Sequence, residues 1–240
     1  MPGAILFDLD DTLFDHHGAS RAALARVHAS HVAADRIDFD AFAAHHAHFL
    51  EELHLEVLAG RLGLDEARQE RFRRVFGALG VPLTDDEAGR AAAEYRLGYL
   101  DARRPVPGAI ALLRALHTRA PIGIVSNNLR DEQQEKLEVC GLQPFVTALV
   151  VSGDTGVSKP DPAIFRIALA RMGVSAGDAV MIGDAWDADI EGAARAGIRA
   201  IWFNPNRRPR PDEREGVGEL HALEPAEQVA RSLLEAMSTR

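Results

Sequence analysis

The strongest constraint on this chain is a repeated pattern. Five short apolar runs, at 4–9, 122–125, 148–151, 179–182 and 200–203, each end in polar residues and alternate with segments of helical spacing. The intervening helical patterns lie near 110–117, 131–139, 162–172 and 187–196, and a last one spans about 225–237. Short buried runs separated by helices of this length form βαβ units, so the expectation is an α/β fold with a parallel five-stranded sheet and helices on both faces. The first run stands apart from the rest. Between it and the second lies a long stretch rich in Ala, Leu, Glu and Arg with no strand signal. Apolar residues recur there at helical spacing, as in Phe39, Phe42, Phe49 and Leu53. Four helices are expected, broken near Asp38, Gly63 and Gly80–Pro82. The boundaries read as an α/β core over 1–16 and 105–240 and an all-helical insertion over 17–104. The charged, Pro-rich stretch 204–218 reads as a surface loop.

Composition narrows the class. With 47% hydrophobic and 26% charged residues the 240-residue chain is globular rather than disordered. The formal charge is −9, from 27 basic and 36 acidic residues, and no basic stripe is present, which argues against binding a nucleic-acid duplex. No apolar run is long enough to cross a bilayer, so no membrane association is expected. One cysteine, Cys140, leaves no internal disulfide and no cysteine-based zinc cluster. The start of the chain lacks a basic leader segment and is read as that of a cytoplasmic protein.

In an open parallel sheet, ligands bind outside the carboxyl ends of the strands. Here those ends carry Asp8-Leu9-Asp10-Asp11-Thr12, then Ser126-Asn127-Asn128, then, after a loop, Ser158-Lys159-Pro160-Asp161, and finally Gly183-Asp184 with Asp187 and Asp189 behind it. Two carboxylates ~4 Å apart repel by about 4 kcal/mol at an effective dielectric of 20, so gathering these groups calls for a cation. Oxygen ligands without His or Cys suit a hard ion, Mg²⁺ first. Alternation along the strand end sends Asp8 and Asp10 to the same side. If Asp8 attacked the phosphorus of a phosphomonoester, Mg²⁺ and Lys159 would offset the charge and Ser126 could hold a phosphoryl oxygen.

These four clusters, in this order, resemble the signature motifs of the haloacid dehalogenase-like hydrolase superfamily. The likeness extends from Asp8 to Asp189 and implies a Rossmann-like core with a C1-type helical cap inserted after the first motif. It implies Asp8 as nucleophile and Asp10 as the acid and base. Ser126, Asn127 and Lys159 would be phosphoryl-binding residues. Mg²⁺ would be held by Asp8, the Asp10 carbonyl, Asp184 and either Asp189 or Asp187. The dehalogenase branch lacks the second aspartate of the first motif, so Asp10 favours a phosphatase acting on a small phosphorylated metabolite, nucleotidase-like or sugar-phosphatase-like. A phosphomutase, a 2-haloacid dehalogenase and a non-catalytic binding module are the alternatives, and a monomer or homodimer is expected.

Other features have simpler readings. Asp161-Pro162 reads as a helix start. Eight of the ten histidines lie between His16 and His54, with His28/His31 and His45/His48 at helical spacing. A transition-metal site and a solvated face compete there. The run Arg68 to Arg74 reads as an exposed helical face with Phe72 turned inward, while a cap His or Arg against an anionic substrate stays open.

Overall fold

A computed structural model describes residues 3–31, 37–212 and 216–238. The chain divides into two compact units, one of Met1–Asp15 with Arg104–Arg240 and one of His16–Arg103.

The first unit is built on a wholly parallel sheet of order β3-β2-β1-β4-β5-β6. Its strands are β1 (Ala4–Phe7), β2 (Ile122–Ser126), β3 (Ala148–Val151), β4 (Ala179–Gly183), β5 (Arg199–Phe203) and β6 (Gly218–Leu220). The strand that comes first in sequence lies at the middle of the sheet. Ile5 pairs with Ile122 on one side and with Val180 on the other. A strand flanked on both edges and covered on both faces has no solvated side, which is why Ala-Ile-Leu-Phe is apolar throughout and fully buried.

The sequence pattern gives five strands and the structure has six. β6 lies at the end of the stretch expected to be loop, pairing Gly218 with Ile201 and Leu220 with Phe203. Its residues are exposed or half-buried, so it carries none of the apolar signal that marks an interior strand.

On one face Leu6, Val125, Met181 and Trp202 pack with Ile164, Phe165 and Ala168. The last three lie on the helix Pro162–Met172.

The second unit comprises α1 (His16–His31), α2 (Phe39–Leu58), α3 (Leu64–Ala78) and α4 (Asp85–Ala102), the four helices expected from the periodicity. Asp38 caps α2 by accepting from the Ala41 N–H at 3.0 Å. Thr84 and Glu87 form a reciprocal capping box at the start of α4. Small residues let α1 and α4 approach closely: a Cβ on Gly98 would stand 3.1 Å from the Ala23 Cα. Phe42, Phe72 and Phe76 fill the interior, with Phe42 and Phe76 edge to face at 5.4 Å between centroids.

One expectation for this unit needs revision. Arg71, in the middle of the run read as an exposed face, is buried beside Phe72. The histidines do not converge on a metal: His28 contacts the Ile37 carbonyl and His31 pairs with Glu94. Among the described residues, no group of three potential ligands includes a histidine.

The helices of the first unit are α5 (Ala109–Leu116), α6 (Arg130–Val139), the short α7 (Ser152–Thr155), α8 (Pro162–Met172), the short α9 (Gly192–Arg195) and α10 (Ala226–Ser238). α8 supplies the Ile164, Phe165 and Ala168 face. It starts as its sequence dictates, with Asp161 accepting from the Ala163 N–H at 2.8 Å and Pro162 in the first turn. α5 and α10 pack together.

Candidate active site

The carboxyl ends of β1, β2 and β4 and the loop after β3 hold the polar residues picked out from the sequence. The chain leaves β1 with the Asp8 N–H bonded to the Ile182 carbonyl at 2.9 Å, which fixes Asp8 beside the end of β4. Beyond it the backbone turns sharply, the Leu9 carbonyl accepting from Thr12, Leu13 and Phe14. Asp11 takes a left-handed conformation at φ 60° in that turn, which Asp tolerates better than most residues.

Lys159 occupies the centre. Its buried Nζ donates to Asp8 Oδ1 at 2.5 Å and to Asp189 Oδ1 at 2.6 Å. Thr12 Oγ1 reaches the other Asp8 oxygen at 3.4 Å. Oxygens of Asp8, Asp184 and Asp189 lie within 4.8 Å of one another. Both oxygens of Asp189 are engaged, since Oδ2 also accepts from the Ala185 N–H at 3.0 Å. Among the described residues, no hydrogen-bond donor reaches the Asp184 carboxylate. Its main-chain carbonyl is fixed instead, by Trp202 Nε1 at 2.9 Å and Arg208 at 3.0 Å.

The electrostatics follow from this crowding. Three carboxylates face one ammonium, a formal excess of two negative charges. Burial pushes the Asp8 carboxyl well up; Lys159 opposes the shift, and Asp189, Asp184 and Asp10 add to it. Asp184 is pushed up to about 7, first by burial and then by Asp189 and Asp11. The Lys159 ammonium resists losing its proton, because the two carboxylates outweigh the burial that would favour the neutral amine. An all-oxygen group with surplus negative charge and one carboxylate lacking a donor fits a hard divalent cation.

Asp189 rather than Asp187 belongs to this group. Asp189 is fully buried and Asp187 exposed. The segment Trp186–Glu191 winds as a π-helical turn, a feature frequent at functional sites. Gly183 makes the approach possible: a Cβ there would lie 2.2 Å from Asp189 Oδ2.

Asp10 has a different environment. Its carboxylate is turned toward α6, where Lys136 Nζ donates to Oδ1 at 2.6 Å and Gln133 Nε2 to Oδ2 at 3.0 Å. The same Gln133 amide reaches Ser126 Oγ at 2.5 Å and so links the end of β2 to Asp10. Asn127, expected to face a ligand, binds the Lys159 backbone at both ends of its amide, through Oδ1 at 2.7 Å and Nδ2 at 2.8 Å. It thereby positions the lysine.

Gln133 and Lys136 were not among the site residues expected from sequence. Two signals were available. They lie three apart on the helix that follows Ser126, and Lys136 is one of only two lysines in an arginine-rich chain.

This fold and this arrangement define a family. Residues 2–197 match the model of the haloacid dehalogenase-like hydrolases, and the chain belongs to that family. It is 33% identical over 235 residues to a phosphoserine phosphatase of Thermus thermophilus, covering 87% of this chain and 91% of that one. It is 31% identical over 228 residues to the pyrimidine 5'-nucleotidase YjjG of Escherichia coli, covering 92% and 95%. Among solved structures it resembles the HAD-hydrolase YfnB of Bacillus subtilis bound to magnesium, with a TM-score of 0.74, 27% identity and coverage of 95% and 98%. A 2-haloacid dehalogenase of Pseudomonas syringae pv. Tomato matches with a TM-score of 0.64, 27% identity and coverage of 97% and 99%. No helix among the described residues is long and apolar enough to cross a membrane.

Proposed function

We propose that this chain is a Mg²⁺-dependent phosphomonoester hydrolase acting through an aspartyl-phosphate on Asp8. The observation that carries the reading is the second carboxylate, Asp10, held by Lys136 and Gln133 beside the Lys159-bound nucleophile. Displacing a halide needs no proton donor, whereas an ester oxygen leaves readily only when protonated. That difference favours ester hydrolysis over dehalogenation despite the likeness to the Pseudomonas enzyme. The phosphatase and nucleotidase relatives support the same reading.

In the first step an Asp8 oxygen bonds to phosphorus while the bond to the ester oxygen breaks, and Asp10 gives its proton to the departing alkoxide. In the second step water attacks the same phosphorus, Asp10 takes the proton, phosphate departs and the Asp8 carboxylate is restored. Lys159 and Ser126 hold the non-bridging oxygens, and Asn127 keeps Lys159 in place through its backbone. Asp8, Asp184 and the Asp10 carbonyl would hold Mg²⁺, with Asp189 behind them, and the ion would supply positive charge against the phosphoryl group. Positioning and electrostatics account for most of the acceleration in such reactions.

The substrate class is small phosphorylated metabolites. The helical unit, inserted in the chain soon after Asp10, acts as the cap that selects the leaving group. The test is phosphate release from a panel of phosphomonoesters with Mg²⁺, together with halide release from 2-chloropropionate. Wild type is expected to release phosphate and no halide, and Asp8→Asn to lose at least about a thousandfold in rate. Equal turnover by wild type and Asp8→Asn would refute the assignment.

A further inference from the structure

Gln133 is fully buried on α6, and its amide is engaged at one end only. Nε2 donates to Ser126 Oγ at 2.5 Å and to Asp10 Oδ2 at 3.0 Å. An amide nitrogen carries two hydrogens, so both are spent. Oε1 is buried and has no hydrogen-bond partner among the described residues. Buried acceptors are rarely left unfilled, and each exception calls for a reason. The amide is not placed to satisfy its own oxygen. Its surroundings hold the nitrogen end.

Asp10 supplies the reason. Its carboxylate is ion-paired with Lys136 and offers only acceptors to the amide. A reversed amide would set Oε1 against Asp10 Oδ2, two acceptors face to face. The direction of the amide in turn fixes that of the Ser126 hydroxyl. The amide nitrogen cannot accept, so Ser126 Oγ accepts and keeps its own proton to donate elsewhere. Ser126 is buried, and among the described residues its hydroxyl has no other hydrogen bond. With the amide reversed, the hydroxyl would give its proton to Oε1 and present only lone pairs, which repel a phosphoryl oxygen.

We propose that Gln133 is a positioning residue that makes Ser126 a hydrogen-bond donor to the phosphoryl group, with Asp10 setting the direction of the amide. The inference rests on the hydrolase reading above, in which Ser126 holds a non-bridging oxygen. Polarity passes from the Asp10 carboxylate through Gln133 Nε2 to Ser126 Oγ. One side chain thereby ties the acid and base to the group that grips the phosphate, without touching a reacting atom.

A double-mutant cycle tests this. The dissociation constant of inorganic phosphate in the presence of Mg²⁺ is measured by titration calorimetry for wild type, Gln133→Met, Ser126→Ala and the double variant. In parallel, kcat/KM is measured with p-nitrophenyl phosphate, whose leaving group departs without a proton, so the acid role of Asp10 weighs little in the first step. Gln133→Met is expected to weaken phosphate binding and lower kcat/KM by about tenfold, the worth of one hydrogen bond to a charged group. Ser126→Ala should do the same. Adding Gln133→Met to Ser126→Ala should then change phosphate binding less than twofold, because the hydroxyl on which Gln133 acts is gone. A residue that merely fills space would give the same loss in both backgrounds. Circular dichroism verifies that each variant is folded, and Gln133→Leu replaces Gln133→Met if the latter is not. Equal losses in the two backgrounds, wild-type phosphate binding in Gln133→Met, or wild-type binding in Ser126→Ala each overturn the role. If wild type binds phosphate with this coupling but hydrolyses no ester, the hydrolase reading fails and the positioning role stands. If wild type binds no phosphate, the positioning role falls whether or not esters are hydrolysed.

Discussion

Replacing Lys159 with methionine probes the electrostatics of the site most directly. The ammonium donates to Asp8 at 2.5 Å and to Asp189 at 2.6 Å, and all three groups are buried. Methionine keeps most of the volume and removes the only positive charge in that contact. Two carboxylates are then left facing each other and Asp184 away from water. Breaking a buried ion pair by removing one partner costs about 3–5 kcal/mol. A domain holds roughly 5–15 kcal/mol in all, so the loss is a large share of the total. The carboxylates can escape by taking up protons, which gives the loss a pH signature. It is largest near about pH 8 and shrinks toward about pH 5, as Asp184, whose carboxyl is raised to about 7, and Asp8, raised by burial, take up protons and cease to repel Asp189. Mg²⁺ would restore part of the missing charge. Urea denaturation followed by circular dichroism, at both pH values and with and without Mg²⁺, measures each of these. A metal-free variant as stable as wild type near pH 8, or one with the same deficit at both pH values, would contradict the charge balance described above.

Three further outcomes are expected. Gly183→Ala places a Cβ 2.2 Å from Asp189 Oδ2, so Asp189 must move; the cost is about 1–3 kcal/mol in a chemical denaturation curve, with weaker Mg²⁺ binding by titration calorimetry. Lys136→Met removes the ammonium 2.6 Å from Asp10, and kcat for a phosphomonoester should fall at least about tenfold with little change in KM; an unchanged kcat would remove Lys136 from the machinery. Asp184 is raised from 3.8 to about 7 in the folded chain, so the native state binds the extra proton in that interval. The stability of the metal-free protein therefore declines as pH rises from about 4 to about 7 and levels off above, by at most about 4 kcal/mol from this group. Mg²⁺ binds the ionised carboxylate, so the gain in melting temperature on adding it should grow over the same interval, and a gain independent of pH would refute the assignment.

The residues legible in the sequence are those whose positions are set by strand ends. Asp8, Ser126, Lys159 and Asp184 each follow an apolar run, and a parallel sheet brings such ends to one edge whatever the intervening chain does. The four inserted helices were legible because apolar spacing and the breaks near Asp38, Gly63 and Gly80–Pro82 mark them. What stayed hidden depended on tertiary direction. α6 is polar along most of its length, so its pattern marks Leu137 as buried but does not show that Gln133 and Lys136 share that covered face. Arg71 was hidden for the related reason that a charged run reads as solvated unless one knows which turn of the helix is covered. β6 has three residues and no buried side chain, too little for any periodicity to mark it. The choice between Asp187 and Asp189 required the π-helical turn, which shifts the phase that an ordinary helix would give.

The placement of β1 at the middle of the sheet also bears on how the chain is assembled during synthesis. Its partners, Ile122 and Val180, are made long after Ile5. At about 5–20 residues per second the second of them emerges roughly ten to forty seconds later. Until β2 is made this apolar segment has no native edge to join, and until β4 is made it has only one, while the helical insertion is complete before either. Closing so long a loop is entropically slow. Nucleation of the sheet is therefore tied to translation of the distal half of the message, and a ribosome stalled before β4 would leave this hydrophobic tetrapeptide without its second neighbour.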